Sequence, residues 1–474
     1  MTWARRHNST TATVQGEGIH AILTRLLAKL TANSQTMRDL LILVIVAAAA
    51  IMALRRPWIG VMLWNWLSIM NPHRFAWGIA YSAPLAAVAA ASTVVGLLFT
   101  RDRQSPFQGA AVWWFAAFTV WITITWAFGI DPADDYAQWD KVIKIYFMTF
   151  VALILLVNRF HILAFAWVTT GSVALLAIKG GVFTLLTGGN YRVWGPPGSF
   201  IHDNNEFALA TIITVPLVYF LYRITSPSWM RYALIGAMVL CVISALGSYS
   251  RGGFLALIAM TGVLWLRSHN KLAIAALILL MVAAYIPMLP DSWWERMQTI
   301  QEYEQDASAM GRINAWIVAW ETAKAYPLGA GMSYQHTELF DRFGVYETKV
   351  RAAHSIYLQV LGNHGFFGLF LYLGMWISTY RTAGWLRKNA AGRSETEWAA
   401  VLGSMVQVSL AGFAVGGAFL SLSYFDLPYN LMVMVVLARR WVLQQAANET
   451  VDEHVKQTGQ GVPPHGLKNS RQFV

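Results

Sequence analysis

Cysteine is nearly absent from this chain: there is one, Cys241, in 474 residues. A single thiol inside an apolar run excludes a disulfide framework and a cysteine-based metal site. Charge is scarce as well. Lys, Arg, Asp and Glu make up 12% of the residues, about half of the roughly 25% found in soluble domains, too little to coat a water-facing surface. Acids number 24 against 35 Lys and Arg, a net charge of +11. That excess does not point to nucleic acid. The basic residues sit in short loops between apolar runs, as in a membrane protein with basic cytoplasmic loops, and not on one concentrated patch. What the chain has in quantity is apolar surface: 56% of it is hydrophobic, with 22 Trp.

Apolar segments of near-membrane length recur along the sequence and predict an all-α, polytopic integral membrane protein. Spans are expected at 40–54, 58–70, 80–99, 109–128, 142–157, 162–178, 207–221, 232–247, 254–266, 272–288, 355–380, 399–419 and 430–442. Arg55-Arg56-Pro57 interrupts the first pair. Taken as one broken unit, 40–70 gives about twelve spans and a cytoplasmic N-terminus, and this is the preferred count. Residues 1–36 are polar, lack the apolar core of a signal peptide and precede Met37-Arg38-Asp39, which reads like a natural start, so they are expected to be an extension. The expected organisation is this extension, transmembrane helices over 37–289, one large extracytoplasmic loop over 290–353, further transmembrane helices over 354–446, and a flexible cytoplasmic tail over 447–474.

Lys and Arg orient the spans. Arg101, Arg103, Arg159, Arg223, Arg231, Arg267, Lys271, the stretch from Arg381 to Arg393, Arg439 and Arg440 mark alternate loops as cytoplasmic. The loops 129–140, 188–206, 248–253, 290–353 and 421–429 then face the other side. In the large loop, Ile313, Trp316, Ile317 and Trp320 follow helical spacing and predict an amphipathic helix from Gly311-Arg312 to Tyr326-Pro327, lying on the membrane or capping the bundle. Trp293 and Trp294 fit an interfacial belt.

Arg192, Arg251, Arg312 and His354 all fall on that one side, next to apolar runs. A guanidinium near hydrocarbon is costly unless an anion or a water-filled cavity receives it. Phosphate and pyrophosphate match several forked donors best. Lys144, inside a span, is a fourth candidate cation. His354, with an ordinary pKa near neutrality, is the candidate base. His202, Asn204, Asn205 and His336 are possible sugar or acceptor contacts. Each residue also has a plainer reading. Arg251 and Lys144 can snorkel, Arg192 and Arg312 can be solvated loop residues, and His202, Asn204 and Asn205 can serve only to cap a helix. His336 and His364 are expected to be structural or exposed more readily than catalytic. No clustered Asp, Glu and His set on the outer side predicts a metal, and no cofactor is expected.

Several motifs carry a resemblance. Ser248-Tyr-Ser-Arg-Gly-Gly253 opens a span, Gly311-Arg312 precedes Trp316, and Pro327-Leu-Gly-Ala-Gly331 follows. His354-Ser-Ile-Tyr-Leu-Gln-Val-Leu361 then leads to Gly365 and Gly368. In this order they resemble the O-antigen ligase/polymerase superfamily over roughly 37–443. Asn190-Tyr-Arg-Val-Trp-Gly195, Phe200-Ile-His-Asp-Asn-Asn205, Arg55-Arg-Pro-Trp58 and Met70-Asn-Pro-His73 resemble its exosortase-associated branch. Ser355 stands where many members carry Asn.

The resemblance implies a GT-C-like, metal-independent glycosyltransferase of the bacterial inner membrane with its site facing the periplasm. It implies inverting transfer of a glycan from undecaprenyl pyrophosphate to a hydroxyl, in ligases a sugar of the lipid A core, during lipopolysaccharide biosynthesis. A polysaccharide polymerase or a protein O-oligosaccharyltransferase would use the same donor with another acceptor. A transporter of an anionic lipid would also need arginines, but usually shows internal repeats and midplane charges, which this sequence lacks.

Overall fold

A computed structural model describes residues 37–267, 271–272, 307–346 and 349–458. The expected span at 272–288 and Trp293 and Trp294 lie outside the described residues. Among the described residues every regular element is helical, and the chain divides into two compact units, 1–98 and 99–474.

In the first unit, α1 (Met37–Arg55) and α2 (Pro57–Met70) are separated at Arg56. Pro57 begins α2, where its fixed φ suits a helix and its missing N–H leaves no bond unmade. The two helices fold back on each other. Gly60 lies against Ala53, Gly78 lies against Asp39, and Ile42, Val46 and Ala50 share one core with Leu63 and Leu67. The expected single broken span is therefore corrected to a hairpin, which returns the chain to the end where Met37 lies. Asn71, left-handed at φ 49, leads into a short 3-10 turn, and α3 (Ile79–Ser82) and α4 (Leu85–Phe99) are divided by Pro84.

The second unit contains α5 (Ala110–Ala127), α6 (Tyr136–Leu155), α7 (Arg159–Leu186), α8 (Asn204–Ile224), α9 (Ser228–Leu246), α10 (Arg251–Arg267), α11 (Ala307–Ala325), α12 (Thr337–Phe343), α13 (Ile356–Asn389), α14 (Glu397–Gly417) and α15 (Asp426–Thr458). Among the described residues, seven helices are long and apolar enough to cross a membrane: α1, α5, α7, α8, α9, α13 and α14. The remaining expected spans that fall on described residues lie on α2, α3 with α4, α6, α10 and α15. α8 and α14 form the interior, packed against each other, with α7, α9 and α10 around α8 and α13 beside α14.

α13 is not one continuous rod. Gly365 has φ 68 and ψ −175, a backbone conformation essentially reserved for glycine. The break frees the carbonyls of Gly362 and Asn363, which accept from the N–H groups of Ala330 and Gly331 at 3.0 and 2.9 Å. The Asn363 side chain completes the clasp, accepting from the N–H of Tyr334 at 3.0 Å and donating to Met332 O at 2.5 Å. On the far side of this segment, Asp135 accepts from the N–H groups of Met332 and Ser333 at 2.6 and 3.2 Å. Residues 327–334 are thus sewn onto the helix break, so that irregular backbone is satisfied inside protein. A Cβ at Gly365 would meet Pro327 O at 2.4 Å. Gly365→Ala is expected to cost about 1–3 kcal/mol for the backbone conformation and roughly as much again for the overlap. The purified variant should show a lower thermal midpoint than the parent, and an unchanged midpoint would refute this reading of the break.

α11 covers the helix expected in the large loop and begins a turn earlier. The face turned into the protein is Ala315, Val318, Ala319, Thr322 and Ala323, and the larger Trp320 stays 48% exposed. Ile313, Trp316 and Ile317 are only half-buried. Small residues permit close approach to α13 and α12, and the half-buried Trp316 packs against the same core. α15 is also longer than expected. It continues to Thr458, past the boundary at 447 expected for a flexible tail. Arg440, assigned to a cytoplasmic loop by its charge, is buried, and its guanidinium donates to the carbonyls of Leu153 and Leu156 at 3.1 and 2.7 Å, capping the end of α6.

The second unit has two chemically distinct ends. At one, Arg440 caps α6, Arg159 lies over the Trp398 ring, and Arg393 pairs with Glu449 at 3.0 Å. The other end gathers the loops 129–135, 188–203, 247–250, 327–336, 349–355 and 418–425.

Candidate active site

The second end is assembled by hydrogen bonds between loops. The Asn204 amide, at the start of α8, donates to Ser248 O at 2.6 Å. Val193 N donates to Gly247 O at 3.1 Å, and the Tyr249 hydroxyl donates to Gly189 O. Ser250 caps α10 by accepting from Gly253 N at 3.0 Å. These bonds place loop 188–203 and the first turns of α8 and α10 side by side. Arg251 is the first residue of α10 and half-buried, and Arg192 projects from the loop and is exposed.

α11 joins from the other direction. Its Trp316 indole donates to Ala353 O at 2.6 Å, one residue before His354. Arg312, one helical turn upstream on the same face, is thereby carried to the histidine. His354 is left-handed at φ 44, a conformation that costs a non-glycine residue of order 1 kcal/mol and occurs preferentially at functional sites. The next residue, Ser355, caps α13. The imidazole is largely buried, and its Nδ1 makes no hydrogen bond within the protein. The charges it faces are Arg312, Asp203 and Arg351. Burial first, and then Arg312 and Arg351, lower its pKa from 6.5 to about 4, against the opposing pull of Asp203.

Asp203 is held rigidly: its Oδ1 caps α8, accepting from the Asn205 backbone N–H and side-chain amide at 2.8 Å each. Burial raises its pKa, but the hydrogen bonds from Asn205, contact with the Glu206 carboxyl and the His354 charge outweigh that, and the carboxyl sits below its ordinary value. Glu206, in the first turn of α8, is 9% exposed; it abuts Asp203 and is faced by Arg312. His354, Arg312 and Asp203, all half-buried, and buried Glu206 therefore share one polar cluster with exposed Arg351 at its edge, and Asn204 ties it to the turn that leads to Arg251.

The remaining candidates are placed differently. Lys144 pairs with Asp140 four residues earlier on α6, so its charge is answered there. His202 is exposed, with its carbonyl held by Gly195 N at 3.0 Å. Asn204 and Asn205 spend their amides on Ser248 and Asp203, as cap and brace. His336 stands at the start of α12 and faces Asp135. His364 is buried between the Thr125 hydroxyl at 2.7 Å and the Tyr424 hydroxyl at 2.6 Å, a structural position. Asp203, Glu206 and Arg351 escaped sequence reading. The one signal available was the cost of an acid in the first turn of an apolar helix. Among the described residues no group of three or more His, Cys, Asp and Glu could hold a metal ion.

A neutral imidazole is the proton-accepting form. With the pKa near 4, His354 stays neutral through the physiological range and protonates only in acid. If it accepts a proton in the reaction, kcat/KM should be level through pH 6.5 and fall only as pH approaches about 4. A pH profile on the purified protein in lipid checks this, and an acid limb at the ordinary value of 6.5 would contradict it.

Comparison with known families gives two matches. Residues 236–373 match the family model described as O-antigen ligase, and residues 37–226 match a family of unknown function. No curated protein matches the chain.

Proposed function

We propose that this chain, whose residues 236–373 match the O-antigen ligase family model, is a member of that superfamily and transfers a glycan from undecaprenyl pyrophosphate to a hydroxyl of the lipid A core. The observation that carries this reading is the buried placement of His354 against Arg312 at the end of the bundle where α8, α10 and α13 begin.

The chemistry follows from those residues. The acceptor hydroxyl gives its proton to the His354 imidazole as its oxygen attacks the anomeric carbon. The bond from that carbon to the pyrophosphate breaks, and the electron pair leaves on the lipid pyrophosphate. Attack opposite the leaving group inverts the anomeric centre. Arg312 and Arg251 take up the charge that develops, and Arg192 can reach the same anion from its exposed loop. Helix N-termini favour anions, and three helices begin here. Fixed guanidinium groups act best where water is excluded, and Arg312 and Arg251 are half-buried. No metal is invoked.

The distribution of basic residues supports a site on the outer face of the bacterial inner membrane. The loops rich in Lys and Arg lie at the opposite end of the second unit, the end expected in the cytoplasm. Lipid pyrophosphate glycans that reach the outer face would be the donor, with membrane lipid around the helices.

The test is purified full-length protein in lipid vesicles with undecaprenyl-pyrophosphate glycan and three acceptors offered separately: lipid A core, a second lipid-linked glycan, and a peptide bearing Ser and Thr. Product mass identifies the acceptor. Product on lipid A core alone is expected. Product only on the second glycan or the peptide would replace the ligase with a polymerase or a protein glycosyltransferase. Transfer to none would overturn the reading.

A further inference from the structure

We propose that Arg351 is a further donor-binding residue, gripping the lipid pyrophosphate beside Arg312, and that Gly311 is the residue that positions it. This rests on the pyrophosphate donor proposed above.

The geometry supplies the argument. The segment that leads to His354 is fastened to α11 at separate points. Asn314 Oδ1 accepts from the N–H groups of Val345 and Tyr346 at 2.8 and 3.2 Å, and the Asn314 amide donates to Tyr346 O at 3.1 Å. The Trp316 indole holds Ala353 O at 2.6 Å. Arg351 meets the same helix at Gly311. A Cβ on Gly311 would stand 2.9 Å from Arg351 Cδ, 3.2 Å from Nε and 3.5 Å from Cζ. The guanidinium therefore lies across bare backbone, at the residue next to Arg312 and three residues before His354.

Gly311 is buried inside a helix and has helical backbone, so no turn or left-handed angle requires a glycine there. Glycine is a poorer helix former than alanine. Room for the Arg351 side chain accounts for it. An arginine that only kept the loop in water would not need a glycine beneath its stem. Arg351 is exposed, and among the described residues no acidic side chain pairs with it. Two guanidinium groups held as neighbours repel each other, and an anion received between them relieves that cost. Pyrophosphate carries charge on both phosphates and offers oxygens to two forks at once. Half-buried Arg312 takes the part nearer His354, and Arg351, at the edge, takes the part nearer water.

The test is undecaprenyl pyrophosphate, without glycan, titrated by calorimetry onto purified full-length protein in phosphatidylcholine nanodiscs. Arg351→Ala should weaken binding about 10-fold, the scale of one charge-assisted contact. Arg351→Lys keeps the charge but loses the fork, and should recover only part of that affinity. Gly311→Ala displaces the arginine and should weaken binding about 3–10-fold. Its thermal midpoint should be unchanged or raised, because alanine favours the helix. The double variant should bind no worse than Arg351→Ala alone, since the new methyl group acts only through Arg351. Arg342→Ala removes another exposed arginine, whose guanidinium lies over Phe343, and should bind as wild type. In turnover, Arg351→Ala should raise donor KM about 10-fold and change kcat by less than about two-fold, as expected for binding shared by ground and transition states.

Wild-type affinity in Arg351→Ala or in Gly311→Ala, or losses from the two that multiply, would overturn the proposal. Failure of the wild-type protein to bind the lipid pyrophosphate would refute the donor proposed above and this inference with it. Tight, Arg351-dependent binding without transfer to any acceptor would refute the reaction alone. Normal transfer beside a fully binding Arg351→Ala would refute this inference alone.

Discussion

His354→Ala is expected to lower transfer by about 10²–10⁴-fold, the usual contribution of a positioned general base. The residue sits where the end of loop 349–355 meets the cap of α13, in a left-handed conformation that no neighbouring residue of the loop shares. Removing the ring should leave the fold intact, since Trp316 anchors the loop through Ala353 O and Ser355 caps α13. Donor binding should survive through the arginines. His336→Ala should lose far less, because His336 faces Asp135 and not the charged cluster. His364→Ala should act on stability, because two buried hydroxyls would each lose one of their two hydrogen bonds. His354→Gln distinguishes proton transfer from simple orientation: retention of most of the rate would mean that a hydrogen bond suffices. Turnover of each variant, measured on protein shown to be folded, decides. A full-rate His354→Ala enzyme would remove the residue from the mechanism.

The second large effect is expected at Arg312. Arg312→Ala should cost about 10²–10³-fold in kcat, as when one fixed donor to a developing charge is lost. Arg312→Lys keeps the charge but loses the fork, so it should recover only part of that rate. Arg251→Lys should behave similarly, and Arg192→Lys should lose least, since Arg192 is exposed on its loop. Wild-type rates for all three lysine variants would rule out a shared pyrophosphate site. The Arg312 variants should also raise the histidine's affinity for protons, because Arg312 is the strongest charge depressing it. The acid limb of the pH profile should therefore move upward in Arg312→Ala.

Much of the fold was legible because bilayer thickness sets helix length and leaves little choice of structure. The arginines and His354 could be singled out for a related reason: a charge beside hydrocarbon is costly, so it stands out. Lys144 met the same criterion, and the structure pairs it with Asp140 four residues away on the same helix. Asp203 and Glu206 were passed over in favour of His202, Asn204 and Asn205. In sequence, capping residues and site residues look alike at a helix start, and only their neighbours in space tell them apart. Amphipathic spacing found the helix of α11 but not which of its residues would pack inward. Both faces of that helix are apolar, so periodicity could not say that the small residues Ala315 and Ala319 would face inward.

Local composition and the cost of burying charge were enough to read that the chain is helical, is built for a membrane and carries Arg192, Arg251 and Arg312 next to apolar runs. Tertiary structure alone decided that α1 and α2 form a hairpin, that α13 breaks at Gly365 to receive residues 327–334, and that Asp203 and Arg312 meet at His354. These are contacts between residues far apart in the chain. They depend on how helix faces pack, and no local pattern of residues encodes that.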